Sequence, residues 1–250
     1  MAIIEMQPGD RYLPGPGIYR LAEGATDIHI CLIRLTDMAG RYLPSLSVTD
    51  YQTLPGQELS PDAGRLDFLA RSEIRQLNGF KSLKKQVEWL GGRYALKTLA
   101  MEVLPDAGRP EQVKVAYEDR GAPYLVGRDA ISVSISHAGD YAAAGICLAA
   151  GKRMGLDLEP MTPVGLEDVK RVAFTEREIT AAGDSLEQAF RIWTRKEAYL
   201  KFIKSGFGES LKRVDVSGPD ILHGGLPVTG LSRQTLQLPQ QYLLAVVNHR

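Results

Sequence analysis

Two hydrophobic periods run along the chain, and their order predicts its elements. Asp27 to Leu35 (Asp-Ile-His-Ile-Cys-Leu-Ile-Arg-Leu) reads as a strand. A Pro-rich stretch from about Leu43 to Pro61 reads as loop, with Ser60 as N-cap and Pro61 opening a helix. That helical region is expected from about Asp62, broken at Asn78-Gly79, and resumed from Leu83 to Leu104. Val113 to Tyr117 is a candidate strand, followed by a turn over Asp119 to Pro123.

From Ser132 the period switches to two. Ser132-Val133-Ser134-Ile135-Ser136-His137 alternates strictly, Ala138-Gly139-Asp140 turns, and Tyr141 to Ala149 is small and apolar, which together predict a hairpin. Gly155-Leu156-Asp157-Leu158-Glu159 is a further strand, with both carboxylates on one face and both leucines on the other. Helical segments follow near Leu166 to Ala173, Thr175 to Ala182 and Leu186 to Lys204. Thr175 and Glu178 have the spacing of a capping box. Tyr242 to Val247 reads as a closing strand. The fold class expected is α+β.

Composition narrows the function only by exclusion. Lys+Arg and Asp+Glu are both 30, so no global field favours nucleic acid and any anion site must be local. Cys31 and Cys147 sit in apolar runs and lack metal-ligand spacing. No apolar run approaches a membrane span and no leader is evident, so a soluble cytoplasmic protein is expected.

The chemistry gathers on two segments. Asp157 and Glu159 repel each other unless a cation neutralises them; the alternative is an exposed edge face balanced by lysines. On the helix from Leu186, Trp193, Glu197 and Lys201 fall at i, i+4 and i+8 on one side. Few oxygen ligands plus an ammonium suit Mg²⁺ gripping a phosphate, although Glu197 and Lys201 also form a favourable helix pair. His137, after Ser136, offers either a phosphate contact or a turn histidine bonded to a local carbonyl. Arg93 and Lys97 share a helix face with Trp89 above, which is a cationic stripe or a solvated face. No G-x-S-x-G elbow is present, which argues against a serine hydrolase.

Taken together, Gly155 to Glu159, Phe174-Thr175-Glu176-Arg177-Glu178 and Trp193 to Lys201 resemble the motifs of the 4′-phosphopantetheinyl transferases of the surfactin-synthetase-activating (Sfp-like) type. Ser134-Ile135-Ser136-His137 and Trp89 to Arg93 extend the resemblance upstream. It implies a pseudo-twofold pair of α+β halves, residues 1–151 and 152–250, with the active site in the cleft between them. It further implies transfer of the phosphopantetheine arm of coenzyme A to a serine of an apo acyl, peptidyl or aryl carrier protein. The implied Mg²⁺ ligands are Asp157, Glu159 and Glu197, with Glu197 as base and Lys201 on the phosphoryl oxygens. Arg93, Ser136, His137 and Lys201 would bind coenzyme A, His137 at the 3′-phosphate. A monomer that binds neither nucleic acid nor membrane is expected. Where many members carry Gly-Lys-Pro-Tyr, this chain has Gly121-Ala122-Pro123-Tyr124, and Arg120 is the candidate substitute for the missing lysine. A non-catalytic binding module or a metal-dependent phosphohydrolase are the rival readings; the retained carboxylates and Lys201 weigh against the former.

Overall fold

A computed structural model describes residues 1–7, 10–21, 27–42, 53–58, 66–205 and 208–250. The expected helix start at Ser60-Pro61 and much of the Pro-rich stretch lie outside the described residues. In chain order the elements are β1 (Ile3–Met6), β2 (Gly17–Leu21), β3 (Ile28–Arg34), α1 (Leu35–Tyr42), α2 (Arg71–Asn78) and α3 (Leu83–Val103). Then come β4 (Val115–Tyr117), β5 (Pro123–Leu125), β6 (Ser132–Ala138), β7 (Tyr141–Cys147) and β8 (Met154–Pro160). Helices α4 (Leu166–Ala173), α5 (Glu176–Ala182) and α6 (Leu186–Ile203) follow. The chain closes with β9 (Val214–Asp215), β10 (Ile221–His223), β11 (Leu226–Val228), β12 (Leu231–Leu238) and β13 (Tyr242–His249). The α+β class expected from the two periods is what forms.

The elements stack as helix, sheet, sheet, helix. A five-stranded sheet has the order β1-β2-β3-β7-β6, and a three-stranded sheet has the order β12-β13-β8. Period-two alternation sorts each strand's side chains between two cores. Cys31, Ile33, Ala142 and Ala144 pack under α3, whereas Ile30, Leu32 and Ala143 face Leu156, Leu158, Leu244 and Val246 of the other sheet. Leu243, Ala245 and Val247 on that sheet's outer face pack under α6.

One topology is used twice. β7 lies between β3 and β6, and β13 lies between β8 and β12; in each trio the last strand in sequence is central. Each trio's first strand is followed by short helices, a long helix and a small sheet before the last two strands. A buried lysine–glutamate pair recurs at the same place. Lys97 of α3 reaches Glu73 of α2 at 2.5 Å, and Lys196 of α6 pairs with Glu178 of α5. Glu73 and Glu178 also accept from the backbone N–H groups of Ala70 and Thr175 at their helix starts, at 3.0 and 2.9 Å. The capping-box spacing at Thr175 thus forms, and its carboxylate serves the lysine as well.

The sheets meet along β6 and β8 through hydroxyls. Ser132, Ser134 and Ser136 accept hydrogen bonds from the backbone N–H groups of Met154, Leu156 and Leu158 at 3.1, 3.0 and 3.3 Å. β13 occupies only one edge of β8, so the serines satisfy donors that burial would otherwise orphan. The alternation of serine with Val133 and Ile135 is therefore the sequence signature of this seam.

Candidate active site

Gly155 brings α6 onto β8. A Cβ there would sit 2.1 Å from the Ala198 carbonyl oxygen and 2.3 Å from the Phe202 nitrogen, so only glycine admits the helix backbone so closely. That approach sets the polar face of α6 against the acidic face of β8. Trp193 Nε1 donates to Glu159 Oε1 at 2.9 Å. Lys201 Nζ donates to Asp157 Oδ1 at 2.8 Å and to Ser136 Oγ at 2.8 Å. Ser136 in turn donates to Asp157 Oδ1 at 2.9 Å.

Two alternatives left open by sequence are decided here. Asp157 is only 4% exposed, so it does not lie on a solvated edge. Lys201 pairs with Asp157 rather than with Glu197, so the helix-surface pair is not what forms. Asp157 Oδ2 and Glu197 Oε1 are buried and have no hydrogen-bond partner. Burial first, then the charge of Asp157, lifts the carboxyls of both Glu159 and Glu197 to about 7. Unpartnered buried oxygens in a carboxylate cluster are donors that fit a hard divalent cation. The three are not drawn into a closed cage: among the described residues no group of three His, Cys, Asp or Glu is assembled to hold a metal. The site fits a cation that takes few protein ligands and completes its shell elsewhere.

Two cavities abut above this cluster. One, of about 310 Å³, is lined by Glu197, Lys201, Lys204, Arg120, Ala122 and Ser134 among others. The other, of about 300 Å³, is lined by His137, Arg93, Trp89, Lys85, Glu88 and Tyr117 among others. Gly121, Pro123 and Ile135 line both, so together they form a cleft running from β6 and α3 to α6. The turn between β4 and β5 is held to the end of α6 by the Lys204–Glu118 ion pair. Arg120, the candidate substitute for the lysine absent at 122, thus reaches the same cavity as Lys201.

His137 Nδ1 lies 3.6 Å from Glu88 Oε2, across to α3. Burial first, then Lys85, Lys201 and Lys84, push its imidazole down to about 4, so it is neutral at pH 7 in a field that favours anions. Arg93 is 1% exposed and stacks between Trp89 and Tyr117, its guanidinium carbon 4.7 and 5.0 Å from their ring centres. Its Nη1 donates to the Tyr117 hydroxyl at 3.1 Å, and its Nε lies 3.1 Å from Glu73 Oε1. That approach is a charge contact without hydrogen-bond alignment, which leaves Nε, Nη2 and Glu73 Oε1 unpartnered. Arg93 reaches the cleft through a wall that it also holds together.

The expected coenzyme A contacts therefore divide. His137 and Lys201 face the cleft. The Ser136 hydroxyl is only 5% exposed and its proton goes to Asp157, so it positions Asp157 and Lys201 and has no donor left for a phosphate. Lys97 is buried on Glu73 and the carbonyls of Phe68 and Pro110, away from the cationic stripe expected of it. Lys204 and Tyr117 were missed by sequence reasoning. Tyr117 carries no pattern beyond a strand end, and Lys204 falls past the motif that ends at Lys201.

Comparison with known proteins finds a family likeness over part of the same region. Residues 153–247 match the model of the 4′-phosphopantetheinyl transferase superfamily. The 4′-phosphopantetheinyl transferase HetI of Nostoc sp. is 30% identical over 158 residues, which are 60% of this chain and 65% of HetI. The chain thus spans just under two thirds of that relative's length. A relative from Synechocystis sp. is 28% identical over 178 residues, 68% of this chain and 67% of its own length. A crystal structure of a holo-(acyl-carrier-protein) synthase from Bacillus anthracis in complex with CoA (3′,5′-ADP) is 22% identical. It covers 50% of this chain and 96% of its own at a TM-score of 0.36, too low to carry over any geometry. Among the described residues no helix is long and apolar enough to cross a membrane.

Proposed function

We propose that this protein transfers the 4′-phosphopantetheine group of coenzyme A to a serine hydroxyl of an apo carrier protein, as a member of the surfactin-synthetase-activating type. The observation that carries the reading is the cluster of Asp157, Glu159, Glu197 and Lys201 within the segment that matches the superfamily: Glu197 and Lys201 line the cleft, Asp157 is bonded to Lys201 behind them, and Glu159 is bonded to Trp193 beside a separate cavity. Residues 1–151 would supply the nucleotide side of that cleft and residues 152–250 the reacting side.

Asp157, Glu159 and Glu197 would hold Mg²⁺, which when bound neutralises pyrophosphate charge. In the transfer, the carrier's serine oxygen forms a bond to the β-phosphorus of coenzyme A. The bond from that phosphorus to the bridging oxygen breaks, and adenosine 3′,5′-bisphosphate leaves with the electron pair. Glu197 takes the serine proton. With a cation held beside it the Glu197 carboxyl would drop from the raised value of the metal-free protein, so positioning would carry more of the rate than basicity. Lys201, held by Ser136 and Asp157, donates to the phosphoryl oxygens as charge builds there. Neutral His137, with Lys85 on the same wall, receives the 3′-phosphate, and Arg120 supplies the charge that Ala122 lacks. The nucleophile comes from the partner.

Incubation with coenzyme A, Mg²⁺ and an apo carrier should raise the carrier's intact mass by one phosphopantetheine. No gain with any of several acyl, peptidyl and aryl carriers would sink the reading. Glu197→Gln should lower the rate by about 10²–10⁴-fold with the fold intact by circular dichroism.

A further inference from the structure

The helix that carries the cleft residues has a second charged flank. Arg191 and Arg195 are i, i+4 on α6 and two residues out of step with Trp193 and Glu197, so they lie about 200° around the helix. There they meet Arg233 and Thr235 of β12. The segment after β1 completes the group: the Leu13 N–H donates to the Gln237 carbonyl at 2.9 Å and the Gln237 N–H to the Arg11 carbonyl at 2.7 Å, which sets Arg11 beside β12. Asp10, Arg11, Arg191, Arg195, Arg233 and Thr235 line a polar cavity of about 190 Å³.

Counter-charge is short in this cavity. Arg191 has Glu187 at 2.8 Å, and Arg233 donates to the carbonyls of Val216 and Gly218, with Asp215 and Asp220 near enough to favour its charge. Asp10 accepts from the Gln7 N–H at 2.7 Å. Among the described residues Arg195 has one hydrogen-bond partner, the Thr235 hydroxyl at 2.8 Å, and no carboxylate partner, and Arg11 has no carboxylate partner. Burial first, then Arg233, Arg191 and Arg11, push the Arg195 guanidinium down to about 10. Guanidinium groups drawn together in a partly desolvated cavity repel unless an anion sits among them. Their forked donors match tetrahedral oxyanions, and a cavity several waters in size admits a phosphate with part of its shell.

We propose that this arginine-lined cavity on the outer flank of α6 is a second anion site, separate from the cleft, that takes a phosphate group as free phosphate or as a small phosphomonoester. It does not depend on the transferase reading, since none of its residues lines the cleft. Calorimetric titration of the full-length protein at fixed ionic strength, with chloride exchanged for inorganic phosphate and, in a second arm, for glycerol 3-phosphate, should show saturable binding. Whichever binds tighter assigns the source. Arg11→Gln and Arg195→Gln should each weaken that binding at least about tenfold, while His137→Gln and Lys201→Gln should leave it in place. Absence of saturable binding in the wild type would overturn the site, as would binding lost only in the two cleft variants. The Arg11 side chain is exposed and its segment is held by backbone bonds, so Arg11→Gln decides the matter even if Arg195→Gln fails to fold.

Discussion

The two halves of this chain share a topology and differ in chemistry. Both have a trio of strands with the last one central, a long helix across it, and a buried lysine that ties the long helix to the capped start of a short one. Taking Lys97 and Lys196 as the common mark, the next residue is Thr98 in α3 and Glu197 in α6, and five residues on stand Glu102 and Lys201. On the strands beneath, Cys31 and Ile33 face α3 where Asp157 and Glu159 face α6. The N-terminal half keeps a dry, apolar seam under its helix. The C-terminal half replaces it with carboxylates, two of which, Glu159 and Glu197, are lifted to about 7 by burial and then by the charge of Asp157. The repeated part is scaffold; under the proposed function the reacting groups would belong to one copy, while residues of both copies line the cleft.

The paired lysines should separate the two halves by the largest margin. Lys196 and Glu178 are fully buried, and Glu178 also accepts from the Val216 N–H at 2.9 Å. Lys196→Met leaves that carboxylate without its cation and should lower unfolding free energy by about 3–5 kcal/mol. Lys97→Met should cost less, because Arg93 stays 3.1 Å from Glu73 and keeps it neutralised. Urea unfolding of both variants checks this. Equal losses would mean that the misaligned Arg93 contact does nothing for Glu73, and the two ties would be equivalent after all.

Much of the C-terminal half could be read from sequence, since its local signals agree with one another. Helix α4 forms over the residues expected, and α5 and α6 begin within a residue of theirs, because their caps and apolar stripes coincide. The hairpin of β6 and β7 follows from strict alternation around a turn. The N-terminal half was legible only in part. β1 and β2 are short and carry no clean period, so the five-stranded sheet was not foreseen. The topological repeat leaves almost no sequence trace, as strand order is fixed by long-range pairing rather than by residue type. Site residues divide in the same way. Asp157, Glu159, Glu197 and Lys201 follow from strand and helix periods. That the Ser136 hydroxyl goes to Asp157, and that Arg93 is walled between aromatic rings, depends on how the sheets meet, which no local pattern encodes.

That seam offers a test of intermediate size. Ser134→Ala removes the hydroxyl that accepts the Leu156 N–H, leaving a buried donor unsatisfied at a loss of about 1–3 kcal/mol. Ser136→Ala should destabilise to a similar degree, and it also removes a contact that positions both Asp157 and Lys201, leaving only their direct 2.8 Å pair. Transferase assays at a temperature where both variants are folded should therefore show a rate loss for Ser136→Ala well beyond that of Ser134→Ala. Matching losses would make the seam purely structural and confine the chemistry of the C-terminal half to its carboxylates and Lys201.

The smallest expected effect concerns protons. In metal-free protein Glu159 and Glu197 have carboxyls lifted from 4.5 to about 7, so the folded state binds protons that the unfolded state has released. Their contribution to stability is full below pH about 4.5 and is lost as pH rises through 7. His137 and His29 act with the opposite sign: burial lowers their imidazoles from 6.5, so they destabilise the fold only at lower pH. At pH 6.5 half of the unfolded-state imidazoles are still charged, so the histidines partly oppose the carboxylates until about pH 7.5, above which the carboxylates govern the slope. Between pH 6.5 and 8 with chelator present, Tm should fall by a few degrees, at about 2–4 °C per kcal/mol for a chain of this size. Glu197→Gln should flatten the fall, and Mg²⁺ at pH 8 should reverse it in the wild type but less so in the variant. Among the described residues the N-terminal half has no carboxylate pair under its helix, so a fall that Glu197→Gln leaves unchanged would place the titrating groups elsewhere. It would also remove the electrostatic difference between the surroundings of the two long helices.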